Sequence, residues 1–294
     1  GCGLRFGLCS AQERCRSGRT GTTGNRVGSN VSRVRIPLSP PSGFLRTDSG
    51  IRQFPLAFIG TQTAPCPLFE SFGVAMQIVS VNVAMPASVS GTARGTVNSG
   101  IYKHAVDGPV DVLASGLTGD GQGDTLNHGG PLKTVYAYAA EDYDYWRVQE
   151  GLSIPEFGWF GENLTVAGVE SHEVRVGDIW DVCSVRLQVT EPRSPCYKLD
   201  HKVGIPRFAA RFQRSGRVGF YLRVLSEGSL AADARVTLAS SDPGTITVRE
   251  LSDFRHYGMG GRSMAARVLG LDHVGPEWQR RARKLMTSAL ESQR

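Results

Sequence analysis

The stretch Glu191-Pro192-Arg193-Ser194-Pro195-Cys196-Tyr197-Lys198-Leu199 sets one thiol directly after two prolines and between two cations. Pro192 and Pro195 hold the backbone extended on either side of Arg193. A thiol flanked by Arg193 and Lys198 is biased toward thiolate, the form that attacks electrophiles and binds metals. A soft thiolate in turn suits a soft transition metal. The two cations can also receive a phosphate. Against this stands the commonest fate of a lone cysteine, a small buried hydrophobe. Cys183, in the middle of an apolar run, reads that way, as packing.

Two further constellations carry polar chemistry. Gly119-Asp120-Gly121-Gln122-Gly123-Asp124 is followed by His128-Gly129-Gly130-Pro131-Leu132-Lys133. Closely spaced glycines let backbone N–H groups approach an anion, and Lys133 offers a countercharge. The spacing matches neither the Walker nor the dinucleotide fingerprint, so a plain glycine-rich turn between strands competes with this reading. In Phe160-Gly161-Glu162-Asn163-Leu164-Thr165-Val166, Glu162 and Asn163 precede a strand. They read either as a turn or as a carboxylate and an amide at a pocket rim, able to hydrogen-bond a heterocycle. Gly177-Asp178 reads as a structural turn.

The elements that must position these groups are mostly short strands. Period-two patterns bounded by Gly, Pro, Asp or Asn fall at Gln77–Met85, Lys133–Ala139, Asn163–Val166, Ile179–Glu191, Arg217–Leu225 and Arg235–Ala239. Helical interruptions are expected at Glu141–Glu150 and Lys202–Gln213. Without regular strand–helix alternation, a doubly wound parallel sheet is disfavoured, and many short strands suggest a barrel. After Gly244 the texture changes to three short helices, Thr247–His256, Arg262–Leu269 and Pro276–Ser292. In the last, Trp278, Ala282, Leu285 and Ala289 share one face, and Arg280-Arg281-Arg283-Lys284 reads as solvated surface.

Charge divides the chain. Residues 1–75 hold nine arginines, no lysine and three acids, whereas residues 76–294 hold 24 Lys+Arg against 24 Asp+Glu. The basic excess of +6 therefore lies in the first quarter, which weakens a nucleic-acid function for the rest. That quarter is rich in Gly, Ser, Thr, Arg and Pro, lacks sustained periodicity, and is expected to be disordered. It has the composition of an organellar transit peptide or of translated upstream DNA before a start at Met76; the second is our expectation. Cys2, Cys9 and Cys15 lack the paired spacing of a zinc site. Only Cys183 and Cys196 follow residue 76, so no disulfide framework is expected and a reducing cytoplasm is the simplest setting. No apolar run approaches the ~18 residues of a membrane span.

Taken in order, Gly119-Asp120-Gly121-Gln122, His128-Gly129-Gly130-Pro131, Lys133, Val135-Tyr136-Ala137-Tyr138, Tyr143-Asp144-Tyr145-Trp146, Phe160-Gly161-Glu162-Asn163-Leu164, Gly177-Asp178 and Pro192-Arg193-Ser194-Pro195-Cys196-Tyr197-Lys198-Leu199 resemble the MOSC domain, the C-terminal domain of molybdenum cofactor sulfurases. Within that group the chain looks most like the YiiM-type proteins. The resemblance runs from Met76 to about Leu290. It implies a mainly β fold with α elements: a barrel over 76–245 and a small three-helix domain over 246–294, after a disordered or spurious 1–75. It implies a molybdopterin-type molybdenum cofactor with Cys196 as the protein's sulfur ligand, Arg193, Lys133 and Lys198 on the cofactor's phosphate, and His128, Glu162 and Asn163 lining the pterin or substrate pocket. It further implies reduction of N-hydroxylated bases such as 6-hydroxylaminopurine. A separate flavin or iron–sulfur donor protein is expected, because the sequence contains no flavin, haem or iron–sulfur motif. Pyridoxal phosphate, used by the desulfurase part of full cofactor sulfurases, finds no support here. The alternative is a cofactor or sulfur carrier that holds a persulfide on Cys196 without turning over a substrate.

Overall fold

The strand-forming runs resolve into one large sheet and two small ones. The computed structural model describes residues 75–125 and 129–291, with side chains through Thr287. The expectations for residues 1–74 and for His128 lie outside the described residues. Strands β1 (Gln77–Val83), β4 (His104–Ala105), β7 (Val135–Ala139), β8 (Leu164–Ala167), β9 (Ile179–Val182), β10 (Val185–Pro192), β11 (Phe220–Ser226) and β13 (Val236–Ser240) form the large sheet. Their order is β13-β9-β10-β11-β7-β8-β1-β4, with β7 and β8 parallel and every other pair antiparallel. Strands β5 (Val110–Leu113), β6 (Gly116–Leu117) and β12 (Gly228–Leu230) make a second sheet, and β2 (Ala87–Thr92) and β3 (Gly95–Ser99) a two-stranded ribbon.

The barrel that the resemblance implies does not appear as a closed ladder. The ordered pairing is an open eight-stranded sheet. Its far strands meet only through the isolated bridge Gln77↔Arg235, reinforced by Ile78 N–H to Ala234 O (2.9 Å) and Val236 N–H to Met76 O (2.8 Å).

Three local expectations change for identifiable reasons. The single strand expected over Ile179–Glu191 is a hairpin, turning at Cys183-Ser184. Cys183 adopts φ 52 there and is exposed, so it is a turn residue and does not pack in an apolar interior. The helix expected at Lys202–Gln213 is two helices, α2 (Tyr197–Val203) and α3 (Phe208–Ser215). Gly204 caps α2 at φ 75, and Pro206 cannot continue it. Third, the helix expected at Glu141–Glu150 is α-helical only over α1 (Ala140–Asp144) and continues as one π-turn, Tyr145–Gln149.

Helices α4 (Val248–Tyr257), α5 (Gly261–Leu269) and α6 (Pro276–Glu291) follow the strands. Thr247 opens α4 with a reciprocal capping box to Glu250. The three helices do not build a separate interior. Phe254, Val268 and Trp278 belong to the same buried cluster as Val81, Trp180, Leu187 and Phe220 of the sheet. A second buried cluster, almost wholly aromatic, joins Tyr136, Tyr138, Tyr143, Trp146 and Phe160 to Phe208 and Phe212 of α3. The described residues fall within one compact unit. Among them, no helix is long and apolar enough to cross a membrane.

Candidate functional site

Strand β10 delivers its last residue, Pro192, to the rim of an open cleft, and Arg193 N–H still bonds to Gly219 O (3.2 Å). The chain then passes Ser194 and Pro195 outside any strand or helix and enters α2 with Cys196 as the cap residue in extended backbone (φ −132, ψ 174). This short connection from a strand end to a helix start leaves the thiol on the wall. The cleft encloses about 700 Å³, its open mouth included. Of the residues singled out in the sequence, Cys196, Arg193, Lys198, Lys133 and Asn163 line it, together with the run 120–124 of the glycine-rich segment. Cys196 is partly buried and forms no disulfide.

Arg193 turns inward. Its Nη1 donates to Phe160 O (2.6 Å) and to Tyr136 Oη (3.1 Å), and its guanidinium lies 4.8 Å from the centre of the Tyr136 ring. It is buried, 7% exposed, and among the described residues no carboxylate pairs with it. Isolation of a buried cation is costly unless something anionic completes it. Cys196 lies within electrostatic reach of the same guanidinium. Burial pushes the Tyr136 hydroxyl well above its ordinary range, with Arg193 opposing, so it stays protonated and donates to Val218 O (2.8 Å).

Lys198, on the first turn of α2, sits 3.6 Å from Asp124 of the glycine-rich segment. Gly121 and Gly123 of that segment line the cleft. A Cβ on Gly121 would stand 2.6 Å from Pro86 Cδ, and one on Gly123 2.7 Å from Asn98 O. Glycine is thus required where the loop packs against Pro86, just before β2, and Asn98 of β3. Asp120 does the organising: it accepts from Ala84 N–H (2.9 Å) and from Asn163 Nδ2 (2.8 Å), and it pairs with Lys103.

Lys133, Glu162 and Asn163 are each held by protein groups. Lys133 is engaged by two carboxylates, Glu277 at 2.8 Å and Glu191 at 3.1 Å. Burial works against its charge, but the two glutamates outweigh burial and hold its pKa above the ordinary value. It faces the cleft with its charge shared between these two carboxylates. Glu162 does not line the cleft at all. It is fully buried and accepts from Gly158 N–H (2.7 Å), Thr165 Oγ1 (2.9 Å) and the Tyr143 hydroxyl. Asn163 lines the cleft, but its amide is committed: Oδ1 accepts from Tyr136 N–H (3.0 Å), and Nδ2 also reaches Asn82 O (3.3 Å).

Sequence reasoning missed Lys103. It is 9% exposed, lines the cleft and neighbours Arg193; burial lowers its pKa despite the Asp120 carboxylate. Nothing in Ile101-Tyr102-Lys103-His104 signals a site; only the pairing of β4 with β1 brings it in. Lys202 of α2 was likewise passed over. Its Nζ donates to Ile101 O (2.7 Å) and Gly158 O (2.9 Å), tying the helix that follows Cys196 to the opposite wall, and burial brings its pKa down to about 8.

The donor set decides what could bind. Among the described residues no cluster of three His, Cys, Asp or Glu side chains could enclose a bare metal ion. One soft thiol beside buried cations instead suits a metal that arrives with anionic ligands of its own.

The comparisons with known proteins agree with this arrangement. Residues 124–237 match the family model of the MOSC domain. Uncharacterized protein YflK of Bacillus subtilis (strain 168) is 34% identical over 203 residues, covering 69% of this chain and 90% of that protein. A protein of Gibberella moniliformis called "Reductase" is 34% identical over 179 residues, which is 60% of this chain but only 30% of that longer protein. The crystal structure of YiiM from Geobacillus stearothermophilus superimposes with a TM-score of 0.60 at 28% identity, covering 71% of this chain and 98% of that one. A cysteine-headed helix at the end of a sheet strand, the family match across the cleft-forming region and this alignment over nearly a whole relative lead to one assignment: the chain belongs to the MOSC domain family.

Proposed function

We propose that the protein is a cytoplasmic molybdenum-dependent reductase of N-hydroxylated compounds, of the 6-hydroxylaminopurine class, with Cys196 as the protein's sulfur ligand to the metal of a molybdopterin-type cofactor. The observation that carries this reading is the Cys196 thiol on the cleft wall, beside a buried Arg193 that no carboxylate among the described residues pairs with. The family and a relative named as a reductase support the oxidoreductase class.

Within this reading the chain's own groups divide the work. Cys196 holds the metal. Arg193, buried and facing the cleft, neutralises the cofactor's phosphate, while Lys103 shares its charge with Asp120 and Lys133 with Glu191 and Glu277. Asp120 fixes Lys103 and, through Asn163, the start of β8. When bound, the molybdenum supplies a two-electron redox change. The net reaction takes R–NHOH, two electrons and two protons to R–NH2 and water, breaking the N–O bond. Lys198, at the wall near Cys196, adds a further cation for the phosphate, and a separate protein supplies the electrons.

Metal analysis of protein made in a cofactor-competent host, together with the Cys196→Ser variant, tests the reading. Wild type should contain molybdenum and reduce 6-hydroxylaminopurine. Cys196→Ser should lose both while keeping its fold. Normal reduction by Cys196→Ser would sink the mechanism.

A further inference from the structure

Residues 76–245 carry 15 Lys+Arg against 19 Asp+Glu, whereas residues 246–294 carry nine against five. The balanced charge of the folded region is therefore split, −4 on the strand-rich part and +4 on the helical part. The positive end concentrates on α6. Arg280, Arg281, Arg283 and Lys284 are all exposed, and no carboxylate among the described residues lies within ion-pair distance of any of them. Arg280, Arg283 and Lys284, three and four residues apart, share one face of the helix, while Arg281 flanks it with its guanidinium 5.8 Å from the centre of the Phe254 ring. Glu277 lies on that face too, one turn earlier, and its carboxylate reaches Lys133 (2.8 Å) in the cleft wall. The cationic face thus begins about 5–10 Å along the helix from a residue that lines the site.

We propose that this face of α6 is the docking surface for the electron donor, and that the donor is a small acidic electron-transfer protein. The proposal rests on the reductase reading above. An unpaired cationic stripe beside a redox cleft steers an acidic partner to the place where electrons are needed. Duplex nucleic acid, the other polyanion such a stripe attracts, gains nothing from the neighbouring cleft.

The test uses the full chain and an acidic [2Fe–2S] ferredoxin as probe. Direct binding is measured by calorimetry for wild type, for Arg280→Gln/Arg281→Gln/Arg283→Gln/Lys284→Gln, and for Arg214→Glu, a reversal of an exposed arginine on α3. The expected result is a Kd raised about tenfold or more by the four neutral substitutions and unchanged by Arg214→Glu. Wild-type binding should also weaken steeply between low and high salt. If the quadruple variant unfolds, the pairs Arg280→Gln/Lys284→Gln and Arg281→Gln/Arg283→Gln are each expected to give part of the loss. In parallel, reduction of 6-hydroxylaminopurine is driven either by reduced ferredoxin or by dithionite-reduced methyl viologen. The variant should lose the first and keep the second. Loss of dye-driven turnover in wild type would defeat the reductase reading, while the calorimetry would still decide the docking surface. The proposal is overturned if wild type does not bind ferredoxin, if the quadruple variant binds it as wild type does, or if random-sequence duplex DNA binds more tightly through the same four side chains.

Discussion

Arg193 is the residue on which the site's electrostatics turn. Its charge is buried among Tyr136, Phe160 and Phe212, and no carboxylate among the described residues meets it, so its desolvation cost is one that an anionic ligand relieves. Arg193→Met should therefore leave the ligand-free protein about as stable as wild type, yet retain molybdenum roughly 10- to 100-fold less well, the loss of one charge-assisted contact of ~1.5–3 kcal/mol. Lys103→Met should also weaken molybdenum retention, but at a cost of about 3–5 kcal/mol in stability, because Asp120 is left buried without its cation. Lys133→Met should act on stability instead, costing about 2–4 kcal/mol in urea unfolding because Glu191 is left buried without its cation. Lys202 adds a pH dependence. Burial holds its pKa at about 8 against 10.5 unfolded, with Glu162 and Glu156 favouring its charge and Arg193 and Lys103 opposing it. Between those values the unfolded chain binds the extra proton, so deprotonation favours the fold and stability rises with pH. Relative to Lys202→Met, wild type should gain up to about 3 kcal/mol between pH 7.5 and 10. Unfolding midpoints that track each other across that range would show that Lys202 titrates normally.

The elements show what sequence periodicity can and cannot carry. The extended passage into Cys196 was legible because proline restricts the backbone locally. The start of α2 at Tyr197 was not, since nothing near Cys196 caps the helix with a side chain. The β9–β10 hairpin was read as one strand because apolar alternation runs through it and the turn lacks glycine. Cys183 meets the turn's demand at φ 52 instead, a conformation that costs a side-chain-bearing residue about 1 kcal/mol. Cys183→Gly should raise stability by ~0.5–1 kcal/mol without touching the cleft, measurable as a small rise in melting temperature. Lys103 was invisible for a different reason: its place depends on the pairing of β4 with β1, a long-range fact that no local spacing records. Glu162 shows the converse, a motif residue whose local context suggested a rim but whose bonds to Tyr143, Gly158 and Thr165 make it an internal brace.

At the scale of the whole molecule, the division into strand-rich and helical parts is real in sequence and charge but not in the interior. Trp278 of α6 is fully buried in the cluster that the sheet also fills. Trp278→Ala should cost about 3–5 kcal/mol and shift a single cooperative transition, reported alike by tryptophan fluorescence and far-UV dichroism. Separation into two transitions would mean that the helices fold on their own. The Lys133 cluster carries this unity into the site itself. One of its carboxylates, Glu191, comes from β10, two residues before Arg193; the other, Glu277, comes from the opening turn of α6. Synthesis runs from the amino end, so Cys196, Arg193 and Lys133 leave the ribosome well before Glu277. A nascent chain therefore carries every lining residue of the cleft but an unfinished wall, and the finished cleft becomes available to any ligand only once the last helix has been released.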